Sequence, residues 1–365
     1  MRKLDTIHVE NFKSIRSQDI ALNSLNVFIG ANGAGKSNFI GLFKFLNKLV
    51  DKKLQVYTGE SGGADSFLYF GRKNSDHLSI ILSFDEEING YDLKLVPSAE
   101  DRFIFAEESV WYHYKPLYAS PYRKYLSSGH SESKLSEYSD NQSKNVAHHV
   151  IQDLKSWKLY HFHDTSESAK VKLTGDISEN RMLNPDASNL AALLYSLQKT
   201  HPQHFNNIED TVRLVAPFFH SFHLEPTQQN PQKIMLEWYD KGSDQSFNAS
   251  ALSDGTLRFM CLTTLLLQPK LPSIILLDEP ELGLHPYAIT MLAELLKSAS
   301  KSVQVIIATQ SVTLVNQFEP SQIFVVERKD NQSTFTHLQD ANMEEWLDEF
   351  GVGDLWEKNI FGGRP

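Results

Sequence analysis

Apolar positions along the chain follow two spacings. Leu4–Phe12 is β-like, and Leu25-Asn26-Val27-Phe28-Ile29 is a short apolar run that stops at Gly30. Past a glycine-rich turn, Ser37–Val50 carries Phe39, Ile40, Phe43, Leu46, Leu49 and Val50 at helical spacing, so the order is strand, glycine loop, helix. Leu78–Phe84, Tyr91–Val96, Arg102–Ala106 and Val110–Tyr114 read as short strands of an antiparallel lobe, with Asn89-Gly90 as the turn between the first two. Helical patterns follow at 145–156, 188–199 and 203–221; in the last, Phe205, Ile208, Val212, Val215 and Phe219 share one face. Beyond residue 230 strand and helix alternate: Lys233–Tyr239, Asp254–Gln268, Ile274–Asp278, Pro286–Ser300, Val303–Thr309 and Gln322–Glu327. Such alternation predicts a parallel sheet flanked by helices.

The serine-rich stretch 127–145 reads as an exposed or mobile loop. Composition narrows the class. The 365 residues suffice for a continuous core without disulfides or structural metal. The single cysteine, Cys261, excludes an internal disulfide and a cysteine-based metal site and reads as a small packed residue. A net charge of −10 argues against a protein that coats nucleic acid through a general positive field. No apolar run reaches the roughly 18 residues of a membrane span, and residues 1–20 hold no signal-peptide core. The expectation is a soluble, cytoplasmic protein without membrane partners. Charge is uneven: residues 1–60 hold nine basic and five acidic residues, whereas 340–365 hold two and seven. The basic beginning suits phosphates; the acidic end suits solvent or a basic partner.

Three motifs carry chemistry. Gly30-Ala31-Asn32-Gly33-Ala34-Gly35-Lys36-Ser37 fits G-x-x-x-x-G-K-[ST] between a strand and a helix. Its glycines would let backbone N–H groups converge on a phosphate at the positive end of the helix, where Lys36 would reach the β/γ-phosphates and Ser37 would ligate Mg²⁺. A glycine turn with a chance lysine is the plain alternative, but it explains neither flanking element. Ile274–Leu277 then makes a buried strand ending in Asp278 and Glu279, at the end of a parallel sheet where ligands bind. Asp278 suits the magnesium and Glu279 the polarisation of attacking water. Leu252-Ser253-Asp254-Gly255-Thr256-Leu257-Arg258 lies before that strand, with Ser253 as helix N-cap and Gly255 permitting close backbone approach. His161 and His163 would share one face of a strand; with no further ligand at suitable spacing, they read as hydrogen-bonded structural residues at a lobe junction. Trp346 and Trp356 read as packing residues of the last helices, with a protein-docking surface as the alternative.

Together with Pro280-Glu281-Leu282-Gly283-Leu284-His285-Pro286, which looks like a D-loop, the Leu252–Arg258 stretch resembles the signature motif of ABC-type ATPases. More closely, the chain resembles stand-alone ATPases of the RecF/SMC/OLD-like branch. The matching pieces are Glu10–Ile15, the Lys36 loop, Leu252–Arg258, Leu277–Pro286, Ala308-Thr309-Gln310-Ser311, Leu355–Asn359 and Gly362–Pro365. The resemblance implies an α/β fold: a P-loop NTPase of ABC-ATPase head type, with a mixed sheet core, an antiparallel β lobe and an inserted helical lobe. It predicts one head over 1–365, with 1–84 and 230–365 as nucleotide-binding core and 85–230 inserted.

It further implies ATP and Mg²⁺ as cofactors. ATP contacts would fall on Gly30, Asn32, Gly33, Ala34, Gly35, Lys36, Ser37 and Asn38, with Ser253 and Gly255 acting across a head-to-tail dimer. Ser37 and Asp278 would hold the metal, and Lys36, Glu279 and Gln310 would act in catalysis. Gln310 stands where the family usually has a phosphate-sensing histidine, so slow turnover is expected. No long heptad run exists for a coiled coil, and the roughly 85 residues after Asp278 leave no room for a Toprim domain. By elimination, the resemblance points to a switch acting on a separately encoded effector, with a nuclease as one candidate, in bacterial genome or anti-phage defence. A RecF-like DNA clamp, binding DNA when ATP-bound, and an ATP-holding scaffold are the alternatives.

Overall fold

Residues 2–140, 142, 144–338 and 350–364 are described by the computed structural model. The chain divides into two units: one runs to Lys158 and resumes at Glu319, and the other comprises Leu159–Phe318.

In the first unit, β1 (Leu4–Phe12) and β2 (Ile15–Ala21) form a hairpin. β3 (Leu25–Ile29) is buried at every position and leads through the glycine loop into α1 (Lys36–Val50). That helix buries Phe39, Ile40, Leu42, Phe43, Phe45 and Leu46. Phe28 of β3 lies 4.6 Å from Phe39, and Phe43 meets Trp157 edge-on at 5.2 Å. Each fully buried aromatic contributes about 2–3 kcal/mol, so strand and helix are fastened at the loop between them. A short α2 (Leu54–Glu60) follows, then β4 (Leu78–Phe84), β5 (Asn89–Pro97), β6 (Phe103–Tyr112) and β7 (Tyr122–Ser127). These strands join the first hairpin in a six-stranded antiparallel sheet ordered β2-β1-β4-β5-β6-β7. α3 (Val146–Ser156) buries Val150, Ile151 and Leu154.

In the second unit α4 (Leu190–Thr200) and α5 (Pro202–Val215) precede α6 (Asp254–Leu267), which is buried from Leu257 to Leu266. A helix apolar on all sides belongs at the centre of its layer, and α6 packs against both α5 and α7 (Pro286–Ser300). Cys261 is buried there, its thiol pushed up to about 12 by desolvation, as a packing role requires. β8 (Ile274–Asp278) and β9 (Gln304–Thr309) run parallel in register Ile274↔Gln304 to Asp278↔Ala308.

Back in the first unit, β10 (Ile323–Lys329) pairs parallel with β3, setting Phe324 opposite Phe28 with the rings stacked at 4.8 Å. β11 (Gln332–His337) closes an antiparallel hairpin on β10. In the final helix, α8 (Val352–Glu357), Trp356 is fully buried and its Nε1 donates to the Gly363 carbonyl at 2.5 Å. Trp346 lies outside the described residues.

Several local expectations are corrected. Asn89-Gly90 is not the turn: both residues sit in β5, and the turn falls at Asp85, Glu86 and Glu87, all at positive φ. Gly90 is required by packing, because a Cβ there would lie 1.9 Å from the Trp111 ring. The expected strands at 102–106 and 110–114 are one strand, β6, whose register with β5 shifts where Lys94 of β5 faces Glu107 and Leu95 faces Phe105. The 203–221 helix stops at Val215, before Pro217 bars its neighbour from helical geometry, and Phe219 starts a strand, Phe219–His223. The serine-rich segment is anchored in its first part. Fully buried Glu108 accepts from Tyr91 Oη (2.7 Å), Ser133 Oγ (2.6 Å) and the Lys134 amide (2.9 Å), and pairs with His130 Nε2 (2.9 Å). Its serines hid a buried carboxylate's partners.

The first unit also makes a test of buried charge. Burial lifts the Asp153 carboxyl from 3.8 to about 7, against the opposing pull of Arg2, whose Nη1 stands 3.8 Å away. A carboxyl raised in the folded state favours folding while protonated. Its contribution is complete below 3.8 and is lost as pH rises to about 7. Asp153→Asn is therefore expected to stabilise the protein at pH 8 by about 2 kcal/mol, and much less at pH 4, in denaturant titrations.

Candidate functional site

Lys36 and its loop belong to the first unit; Ser253, Gly255, Asp278, Glu279 and Gln310 belong to the second. In the loop, Gly30, Gly33 and Gly35 all take positive φ, at 155°, 76° and 124°. Their reasons differ. A Cβ on Gly30 would strike the Val326 carbonyl at 2.2 Å and one on Gly35 the Ser333 hydroxyl at 2.1 Å, whereas at Gly33 nothing lies within 4 Å. Two glycines let the loop press against its own unit, and the third leaves its outer side open. Lys36 is 5% exposed, and its Nζ donates to the Gly30 and Ala31 carbonyls, the latter at 3.1 Å. Helix α1 begins at Lys36, and its N-cap, Gly35, has no side chain to cap it. Its first-turn amides and macrodipole therefore suit an anion. Asn32 and Ser37 are exposed, Ala34 is buried, and Asn38 donates from Nδ2 to Ser14 Oγ at 2.7 Å. These donors fit a nucleotide phosphate, and the exposed Ser37 hydroxyl fits a ligand for Mg²⁺.

In the second unit, Asp278 and Glu279 stand partly buried at the end of β8. Glu279 has φ 45°, a left-handed conformation uncommon for a residue other than glycine. Its N–H donates to the Ala308 carbonyl (2.8 Å), and its Oε1 accepts from Gln310 Nε2 (2.6 Å). The carboxylate is thereby aimed by the end of β9. Below it, Glu281 is nearly buried and accepts from Thr309 Oγ1, which itself accepts from the Ser311 amide at 3.0 Å. Desolvation raises the Glu281 carboxyl above its ordinary value.

Ser253 caps α6, its Oγ accepting from the Thr256 amide at 3.2 Å. Gly255 allows close approach, since a Cβ there would sit 2.4 Å from the Gly283 carbonyl. The helix start thus rests directly on the Leu282–Leu284 turn. Arg258, itself buried, donates to the carbonyls of Phe162 (2.9 Å), His163 (3.3 Å) and Leu282. Sequence reading missed Arg258 as a positioning residue, although it closes the quoted motif. His163 Nε2 contacts the Asp278 carbonyl at 2.8 Å, and must carry the proton because a carbonyl only accepts. The strand before it ends at Tyr160, so the two histidines do not occupy a strand face; their rings lie 6.0 Å apart.

The fold is of the kind found in SMC head P-loop ATPase domains. The fold is similar to that of the Smc head bound to the C-winged helix domain of ScpA, at 15% identity and TM-score 0.59 over 94% of this chain and 99% of that one. It is also similar to the Smc head domain with an extended coiled coil bound to the C-terminal domain of ScpA derived from Pyrococcus furiosus. There the identity is 14% and the TM-score 0.58, over 96% and 99% of the two chains. Residues 25–316 match the family described as "AAA domain, putative AbiEii toxin, Type IV TA system", and the chain belongs to that family. No curated protein sequence matches the chain.

Proposed function

We propose that this protein is a cytoplasmic ATP-driven switch: it binds MgATP at the Lys36 loop, closes head to tail on a second copy and regulates a separately encoded effector. The observation that carries this reading is the loop itself. An uncapped helix start, an open Gly33 and a buried lysine held on loop carbonyls form a phosphate cradle. In the closed dimer Ser253 and Gly255 of one copy would face ATP held by the other. Asp278 with Ser37 would hold magnesium, which supplies charge neutralisation, while Glu279, aimed by Gln310, would polarise water.

Regulation of a second protein draws support from two likenesses. The family is described by a toxin of type IV toxin–antitoxin systems, and the Smc heads were solved with a domain of ScpA bound. A regulatory role in bacterial genome or anti-phage defence, with a nuclease as candidate effector, fits this pattern. The Gln310–Glu279 bond favours a second reading, in which ATP is held and hardly cleaved, because glutamine carries no charge to assist turnover. Sedimentation with and without MgATP tests the switch. The expected result is a monomer without nucleotide and a dimer with it; an unchanged mass at saturating ATP would refute ATP-gated closure. Added duplex DNA should leave sedimentation unchanged; ATP-dependent co-sedimentation that falls with salt would favour a DNA clamp.

A further inference from the structure

Four polar groups from three distant stretches of sequence meet beneath the phosphate loop. Asn38 Nδ2 donates to Ser14 Oγ at 2.7 Å. Ser14 Oγ lies 2.7 Å from Ser333 Oγ, and Ser333 Oγ lies 2.6 Å from the Ala34 carbonyl. A hydroxyl has one proton. Ser333 Oγ is the donor to both the Ser14 hydroxyl and the Ala34 carbonyl, so its single proton is shared between the two acceptors. Ser14 Oγ thus accepts from Asn38 on one side and from Ser333 on the other, and Ser333 links Ser14 to Ala34. These bonds leave from the first turn of α1 and return to the loop that precedes it.

Ser333 is fully buried, so water cannot stand in for its hydroxyl. The same residue belongs to β11 and donates its amide to the Ser14 carbonyl at 2.7 Å. The loop touches this hairpin a second time, where Gly30 packs under the Val326 carbonyl of β10. On β10, Glu327 accepts from the Gly363 amide at 3.0 Å, and Gly363 in turn accepts from Trp356. Physical contact is thus continuous from the phosphate loop through β10–β11 to the C-terminal stretch of the described chain.

We infer that Ser14 and Ser333 are positioning residues for the phosphate loop, and that their relay transmits nucleotide occupancy to the β10–β11 hairpin and the Val352–Arg364 segment. The inference rests on the reading of the Lys36 loop as the nucleotide site. A bound phosphate would draw the loop amides and Lys36 toward itself, and any shift of Ala34 or Asn38 changes both ends of the relay. The hairpin, held by Ser333, then tightens or loosens with it.

The test uses the full chain, the slowly hydrolysed probe ATPγS with Mg²⁺, and the variants Ser14→Ala, Ser333→Ala and Ser14→Ala/Ser333→Ala. Each single variant is expected to bind the probe about 10-fold more weakly, and the double variant no more weakly than either, because one break opens the whole relay. At saturating probe, hydrogen exchange across 323–337 and 351–364 should slow in the parent and not in Ser14→Ala. That variant alters only a half-buried turn, so it reports even if Ser333→Ala fails to fold. Fold losses that multiply in the double variant, or nucleotide protection that survives in Ser14→Ala, would overturn the relay. A parent chain that does not bind the probe would instead overturn the phosphate-loop reading, and the relay with it.

Discussion

Lys36→Ala is expected to lower MgATP affinity about 100-fold or more in calorimetric titration, while secondary structure is retained. The size follows from what the ammonium does. Lys36 is buried against the Gly30 and Ala31 carbonyls, inside the curve of its own loop, where water screens its charge poorly. A phosphate replacing those carbonyls meets a charge-assisted donor that needs little reorganisation, and alanine removes both charge and donor. Lys36→Arg should lose most of the affinity too, because a planar fork cannot enter a space shaped for a point charge. Stability should fall less than binding, since two carbonyls lose a partner but the loop's glycine contacts with Val326 and Ser333 remain. Unchanged affinity in Lys36→Ala would place the nucleotide elsewhere.

The elements around the candidate site were legible because they are local. A strand buried on both faces, a glycine loop and a helix with one apolar stripe each carry their own signal, so β3, α1, β8 and α7 fall close to the ranges read from sequence. What escaped depends on partners distant in the chain. Gly90 resembles a turn residue until Trp111 is seen over it, and Ser133 resembles loop filler until Glu108 is found behind it. β11 has a polar sequence, Gln332–His337, and is a strand because β10 offers it an edge. Ser333 within it had no motif to announce it. Its role comes from a contact between positions 14, 34 and 333. At Glu279 the sequence named the residue but not its conformation, since only the fold reveals a glutamate held at positive φ by β9.

Glu279→Gln should separate binding from cleavage. Glutamine keeps the size of the side chain and an oxygen that still accepts from Gln310 Nε2, so the geometry at the end of β8 persists. What disappears is the carboxylate's basicity and charge. If Glu279 polarises the attacking water, turnover should drop about 100- to 1,000-fold in a phosphate-release assay with ATP affinity little changed. Closure driven by ATP would then outlast hydrolysis, and the variant should accumulate as a nucleotide-bound dimer on a sizing column. The direction differs from Lys36→Ala, which should lose dimer and turnover together. Gln310→His adds a sign: a histidine able to carry charge should raise turnover in the parent and do nothing in Glu279→Gln, because the base it would assist is gone. Parent-like turnover in Glu279→Gln would remove Glu279 from the chemistry and leave its positive φ and its bond to Gln310 as features of the fold alone.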